Sequence, residues 1–490
     1  MRATLHGRWL RRAILLVVVL NLPARLRAQA PTDTLQKPVS YVVRAGTIAT
    51  VAQRDCLPLW LAANRFGTVA DRQSDLSTYA GGSLTYRRNP NLSLSGRLDV
   101  YLNNRFGDVF VQQGYLLVNY KKWQLGAGRY AETVGDVHPG LSSGSLGISG
   151  NALPIPRVWV ATSGYVPVPF TGGWVQFKGR YGHGLLGNDP YVRNAFLHEK
   201  SFYLRVGKEK WGVYGGGNHF AQWAGVHHRA GQLPNGISDY LHIVLAGRGG
   251  NGAIIRDETF DAANAPGNHL ISFDFGVDMK AADGRFRLYT QSLFEKGSAP
   301  NAMVKDQSKG FKLLSPDRLA GAQWVGTAGP LRGVVLELLS TRHQGGPEFF
   351  VGRDNYYNHS IYRTGWSYGG MTLGTPLFIN QARAAAYGLK PGTDQHIVSN
   401  RVLAGHLGIK GQLGPRIGWR TLATYTRHYG NYFNTATFSP ARTQAHLMQE
   451  FSGKLGAGVS LTGAVGYDFG DLYVNWGGQL GAAWTLPGSF

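Results

Sequence analysis

The chain has 490 residues, 68 of them glycine, an aromatic content of 12%, one cysteine and a formal charge of +22. Glycine at about twice its usual frequency without a three-residue period excludes collagen, and the aromatic content argues against disorder. One cysteine excludes an intramolecular disulfide, and beyond the first 30 residues no apolar run is long enough for a spanning helix.

The order at the start is that of a secretory signal. Arg2, Arg8, Arg11 and Arg12 precede the apolar run from Ala13 to Leu20, and Ala28-Gln29-Ala30 offers small residues to a signal peptidase. Residues 1–28 are expected to be removed, and no cysteine follows the cut to carry a lipid. Six of the arginines lie in that segment with no acid beside them, so a large positive excess is left in the mature chain. Such an excess either keeps the surface soluble or faces an anionic partner, such as lipopolysaccharide or an acidic glycan. Nucleic acid suits the charge but not an exported protein.

Residues 29–75 are expected to form an N-terminal periplasmic or helical segment. Pro58 suits a first helical turn and Gly67 a closing cap, so Leu57 to Gly67 is expected to be a short helix, periplasmic or near a barrel mouth.

From residue 76 to residue 490 the dominant signal has a period of two. In a membrane barrel, neighbouring side chains face lipid and lumen in turn, so apolar residues favour one parity. Leu92, Leu94, Leu98, Val100 and Leu102 alternate with Ser93, Ser95, Arg97, Asp99 and Asn103. Weaker alternation follows at Tyr79–Tyr86, Leu116–Tyr130, Val158–Val166, Trp174–Tyr181, Phe202–Gly215, Leu270–Asp278 and Phe286–Leu293. It continues at Leu319–Gly326, Val334–Thr341, Val402–Ile409, Arg416–Tyr425 and Thr443–Phe451, and the alternation is as clear as in Leu92–Asn103 at Leu455–Tyr467 and Leu472–Leu486. The fold class is therefore all-β: a transmembrane antiparallel barrel of about 16–18 strands in a bacterial outer membrane, its lipid a partner. Phe490 supplies the terminal aromatic residue familiar in such barrels, although Pro487 cannot donate to a ladder. Long loops are expected at Val134–Pro154, His183–Glu199, Gly215–Asn268, Gly297–Asp317 and Gln344–Asn400.

Four blocks in this order resemble the capsule assembly Wzi family of outer-membrane barrels. They are Leu57 to Gly67; Leu141 to Ala152 with Pro154, Ile155 and Pro156; Gln222-Trp223-Ala224-Gly225 with Leu233-Pro234 and Asp239-Tyr240-Leu241; and Asp354 to Tyr357, Ile361 to Trp366 and Gly374 to Leu377. The resemblance implies a barrel of about eighteen strands, partly closed by helices and loops, that binds surface polysaccharide and helps to attach or assemble capsule or exopolysaccharide.

Sugar recognition needs aromatic faces for pyranose rings, polar groups for hydroxyls and, for an acidic sugar, a cation. Trp223, Asn355, Tyr356, Tyr357, Tyr362, Arg363 and Trp366 supply these, although tyrosine and tryptophan also form the interfacial girdles of barrels. A passive porin is the alternative function. His219, His227 and His228 lack a zinc spacing, and no metal or cofactor is expected. Gly247-Arg248-Gly249-Gly250-Asn251-Gly252 fits the dinucleotide glycine spacing by chance in a glycine-rich exported chain. His359 and Ser360 diverge on an extended chain, and Asp257, Glu258 and Asp261 suit solvated loops, so no enzyme is expected.

Overall fold

The computed structural model describes residues 37–104, 106–246, 266–295, 316–344, 354–390, 395–433 and 438–490. The signal segment and its cut, the glycine motif at 247–252 and Asp257, Glu258 and Asp261 lie outside the described residues.

Eighteen long antiparallel strands form one closed barrel. They are β1 (Val39–Ala52), β2 (Ser74–Asn89), β3 (Leu92–Asn103), β4 (Asp108–Tyr120), β5 (Trp123–Arg129), β6 (Pro156–Thr162), β7 (Val175–Gly187), β8 (Ala195–Gly207) and β9 (Trp211–Trp223). The second half comprises β10 (Asn268–Lys280), β11 (Gly284–Phe294), β12 (Arg318–Gly326), β13 (Leu331–Ser340), β14 (Val402–Leu413), β15 (Ile417–His428), β16 (Arg442–Gly456), β17 (Val459–Gly470) and β18 (Asn475–Ser489). Each strand pairs with the next, and β1 closes on β18, where Val39 and Phe490 exchange backbone hydrogen bonds of 3.1 and 3.0 Å. A two-residue piece, Val166–Pro167, follows β6 on the same partner strand.

The period of two places apolar side chains outside. On β17 and β18, Val465 and Leu480 stand 63% and 71% exposed on the outer face, whereas Asp468 and Asn475 point inward and are buried. Pro487 sits in β18 without leaving a ladder gap. Thr485 N–H still reaches Gly458 O in the turn just before β17, and two residues on, the same side of β18 has no neighbouring strand to receive a donor.

The N-terminal segment differs from the expectation. Val39–Ala52, placed outside the barrel by sequence, is its first strand. Val43 and Val51 face outward, but Val42, Ile48 and Ala52 face inward, and apolar residues on both parities hide the period. The expected helix shrinks to α1 (Leu59–Ala62), with Pro58 extended just before it and Ala63 extended after it. Asn64 and Phe66 take positive φ and coil the chain tightly up to Gly67. This segment links β1 to β2 at the end remote from Val39 and Phe490, so it is not on the side where β1 begins.

That end carries the long connections. At the opposite end, most neighbours are joined by short turns, such as residues 121–122, 208–210 and 414–416. The connections from β1 to β2, β5 to β6, β9 to β10, β11 to β12 and β13 to β14 leave the strands at the loop end. His183–Glu199, expected as a loop, is mostly the strands β7 and β8 with residues 188–194 between them. Its alternation is masked because His183 and His198 face outward, where α2 (Ile237–Leu245) covers them. Tyr240 of α2 meets Tyr181 and His183, and the Lys200 ammonium donates to Val244 O.

Three loop-end segments, within residues 53–73, 130–155 and 354–400, fold into the lumen as a plug. Trp60, Leu61, Leu141, Leu146, Tyr357, Trp366 and Phe378 form its apolar core with wall residues such as Phe220 and Val335. Inward polar groups of the wall meet its backbone. Leu59 N–H donates to Asp468 (2.8 Å), Leu146 N–H to Gln291 (2.5 Å), and the Trp60 indole to Thr424 (3.0 Å). Glu337 of β13 accepts from the Ser142 hydroxyl, from the Ser143 amide and hydroxyl, and from Tyr289, at 2.5–2.7 Å. Close approach requires glycine at Gly408, where a Cβ would stand 2.2 Å from Leu141 O.

Glu337→Ala deletes that hub and leaves four donors without that acceptor, a loss of about 1–3 kcal/mol for each donor that stays buried and unpaired. The variant is expected to conduct ions in planar bilayers where the intact barrel stays closed, and equal conductance would contradict the plug's role as a seal.

Candidate functional site at the loop end

The structure separates the residues expected to meet sugar. Tyr356, Tyr357, Tyr362 and Trp366 are buried, with their polar tips bonded inside the protein. Tyr356 donates to Leu293 O (3.2 Å) and Asp317 (3.0 Å), and Tyr357 to Leu146 O (2.5 Å). Tyr362 donates to Ala224 O (3.0 Å), and the Trp366 indole to Gly147 O (2.7 Å). These rings are committed to packing and leave no face for a pyranose. In sequence, an aromatic-rich loop looks the same whether its rings pack inward or meet a ligand.

Their bonds bring the four resembling blocks together. Asn64 of the first reaches Ser143 O of the second (3.3 Å), and Ser149 of the second reaches Gly374 O of the fourth (2.7 Å). Gln222 of the third donates to Gly365 O of the fourth (3.1 Å). The blocks are thus largely the plug and its fastenings.

Trp223 lies elsewhere, facing outward on β9 between Phe196 and Tyr240, with ring centroids 5.6 Å from each. Asn355 is half-buried; it donates to Gln395 (2.5 Å) and accepts from Asn358 (3.1 Å) and Asn400 (2.7 Å). Arg363 is half-buried, its guanidinium 5.5 Å from the centre of the Tyr191 ring. His219 bonds His269 on the outer wall (2.8 Å), and the rings of His227 and His228 meet at a tilt, with centroids 4.5 Å apart. Nδ1 of His359 accepts from the amides of Ile361 and Tyr362, which makes it part of a turn.

Arg363 belongs to a partly open cluster built from three loops. Tyr191 comes from the β7–β8 connection and His228 from the segment after β9, with their rings edge to face at 5.7 Å. Asp189 fixes Tyr191 by accepting from the amides of Tyr191 (2.7 Å) and Val192 (2.8 Å), and its other oxygen accepts from the Thr364 hydroxyl (2.8 Å). The cluster therefore offers an aromatic ring, an imidazole, a guanidinium and a carboxylate at the loop end, the chemistry that sugar hydroxyls and acidic sugars require. Sequence reasoning missed Asp189 and Tyr191; the signal was Asp189-Pro190-Tyr191, an Asx-turn pattern between two strands.

Two carboxyls anchor the loop beneath this cluster. Glu295 accepts from Tyr357 N–H, and Asp317 accepts from the amides of His343 (2.9 Å) and Gln344 (2.5 Å). Burial raises the pKa of both above the usual carboxylate range, and nearby Asp354 raises that of Glu295 further.

A closed eighteen-strand barrel with an apolar outer face and a polar lumen defines the class: this is a bacterial outer-membrane β-barrel. No helix among the described residues is long and apolar enough to cross a membrane. Short turns lie on the periplasmic side in this class, which puts the loop end outside the cell. Among solved structures the chain is similar to Wzi of Escherichia coli, described as an outer membrane protein involved in group 1 capsule assembly and a carbohydrate-binding β-barrel. The TM-score is 0.58 at 15% identity, covering 100% of this chain and 90% of that one. OccK5 of Pseudomonas aeruginosa matches at TM-score 0.48 and 8% identity, over 92% of this chain and 98% of that one. OccAB4 of Acinetobacter baumannii matches at 0.46 and 8%, over 93% and 99%. No family model and no curated protein matches the sequence. At these identities the likeness to Wzi shows the fold.

Because burial raises the folded pKa values of Glu295 and Asp317, the folded loop favours their protonated forms, although the amide bonds they accept oppose the shift. That stabilisation is complete below the unfolded carboxylate pKa and is lost as pH rises through the folded values. Amide exchange at residues 354–366, corrected for intrinsic rates, should therefore quicken as pH rises above the ordinary carboxylate range. Glu295→Gln should flatten that dependence; a profile identical to that of the unmodified protein would refute the assignment.

Proposed function

We propose that this barrel is a non-enzymatic binding protein that holds surface polysaccharide at the cell exterior and helps to attach or assemble a capsule or exopolysaccharide layer. The observation that carries this reading is the division of labour at the loop end. The plug occupies the loop-end part of the lumen, while Tyr191, His228 and Arg363 stay accessible on the outside. A lumen occupied in this way suits retention better than passage. The likeness to Wzi, itself described as carbohydrate-binding, supports the same direction. Arg363 would pair with an acidic sugar, Tyr191 would stack on a ring, and Asn355 and Trp223 would lie at the margins of the bound chain. Tyr356, Tyr357, Tyr362 and Trp366 would hold the Arg363 loop in place.

Calorimetric titration of the purified barrel with the host's own polysaccharide tests this. Tyr191→Ala and Arg363→Ala should each weaken binding about tenfold, equivalent to about 1.4 kcal/mol, and deleting the gene should release polysaccharide from cells into the medium. Unchanged affinity in both variants together with unchanged retention would overturn the proposal. Steady single-channel conductance by the intact barrel would favour the porin alternative.

A further inference from the structure

A second cationic site lies on the outer wall, away from the plug and from Arg363. The extracellular ends of β12 to β15 carry outward-facing arginines. Arg318 opens β12 and stands level with Ser340 of β13, Ser340 with Leu403 of β14, and Leu403 with Arg427 of β15. One row further out, Arg401 donates from Nε to Arg342 O at 3.2 Å. The outward direction follows from parity, because Leu338, Leu407 and Tyr425 of the same strands are exposed and share it.

The guanidiniums are organised by aromatic rings. Arg342 and Arg427 lie 4.1 and 5.4 Å from the centre of one ring, Tyr429, and Arg401 lies 4.1 Å from that of Tyr432. The Tyr432 hydroxyl donates to the backbone carbonyls of Arg342 (3.3 Å) and His343 (3.1 Å), which ties the second ring to the first arginine. Among the described residues, none of these arginines forms an ion pair with a carboxylate, unlike the lumen arginines Arg157, Arg180 and Arg287. Like charges gathered on two rings repel one another unless an anion sits among them. Guanidiniums held in this way match the paired oxygens of a phosphate.

The wall beneath continues the site into the membrane. One row inward, Leu338, Gly405 and Tyr425 are level across three adjacent strands. Leu338 and Tyr425 are 65% and 57% exposed, and Gly405 has no side chain between them. A Cβ at Gly405 would meet nothing nearer than Leu338 Cδ2 at 3.9 Å, so the position is a groove open to the outer face. Two residues along a strand span about 7 Å, which puts the cations just above the apolar groove. An anionic head over acyl chains has that arrangement; a soluble polysaccharide has no part for the groove.

We propose that Arg342, Arg401 and Arg427, with the Gly405 groove below them, bind a phosphorylated glycolipid of the outer leaflet, the phosphate on the guanidiniums and an acyl chain along the groove. The site is independent of the polysaccharide cluster, and it gives the positive excess of the chain a defined partner.

The test uses the full barrel in detergent, titrated with diphosphorylated lipid A and with its dephosphorylated form, and followed by native mass spectrometry. Arg342→Gln, Arg401→Gln and Arg427→Gln combined should lower the affinity for the phosphorylated form at least tenfold, and should leave the weak binding of the dephosphorylated form unchanged. Gly405→Leu, with every arginine intact, should lower lipid A affinity several-fold by filling the groove; it decides the matter if the triple variant fails to fold. Arg363→Ala should bind lipid A normally, which separates this site from the polysaccharide proposal. The inference falls if a folded triple variant binds lipid A as the unmodified protein does, or if Gly405→Leu has no effect. It also falls if an acidic oligosaccharide without acyl chains displaces lipid A at equal concentration.

Discussion

Acyl chains offer a backbone N–H or C=O nothing to bond, so a strand in lipid must be paired on both sides. The pairing of β1 with β18, sealed where Val39 meets Phe490, removes the last free edge. Much else follows from that closure. A hydrogen-bonded wall with lipid outside forces apolar residues onto one parity, and the other parity inherits the polar side chains. Eighteen strands enclose a lumen too wide for those side chains to fill. Their donors and acceptors must therefore find either water or more protein.

Here they find more protein. Glu337, Gln291, Asp468 and Thr424 each accept from the plug, and backbone amides that its short helices and strands leave unpaired are satisfied by the wall at Glu337, Gln291 and Asp468. Charges on the wall are handled in the same way. Glu199 is buried between Arg157 at 2.7 Å and Arg180 at 2.8 Å, and Arg180 also reaches Glu132 of the second plug segment. A buried carboxylate with two guanidinium partners avoids the cost of an unpaired charge in the interior. The lumen thus has the polar chemistry of a pore and the packing of a protein core.

Legibility in the sequence followed the same physics. Strands whose two faces meet different media, such as β3 or β18, announced themselves by parity. Strand β1 did not, because its inward face carries Val42 as well as Ile48 and Ala52, the last two against the plug, and both faces are then apolar. The stretch around His183 and His198 was obscured because a helix covers polar groups on the outer wall, and alternation cannot register a local cover. At the candidate site, Arg363 and Asn355 kept accessible surface, whereas Tyr356, Tyr357 and Trp366 went into the core. Composition reports that aromatic rings are present; which of them is buried depends on loops that meet from distant parts of the chain. The cluster of Asp189, Tyr191 and His228 is non-local in the same sense.

The way the plug is fastened has a mechanical consequence. Under the proposed function, a polymer held at the loop end would pull along the barrel axis, and the segment bearing Arg363 would take the load first. That segment is held by Trp366 to Gly147, Tyr357 to Leu146, Gln222 to Gly365 and Asn400 to Tyr356 O, bonds that reach different strands and loops. Fastenings arranged in parallel share a tension, so they must yield together, whereas a simple hairpin would unzip one bond at a time. The barrel behaves as a socket, and the plug as a multi-pronged anchor whose grip is set by the number of prongs engaged at once.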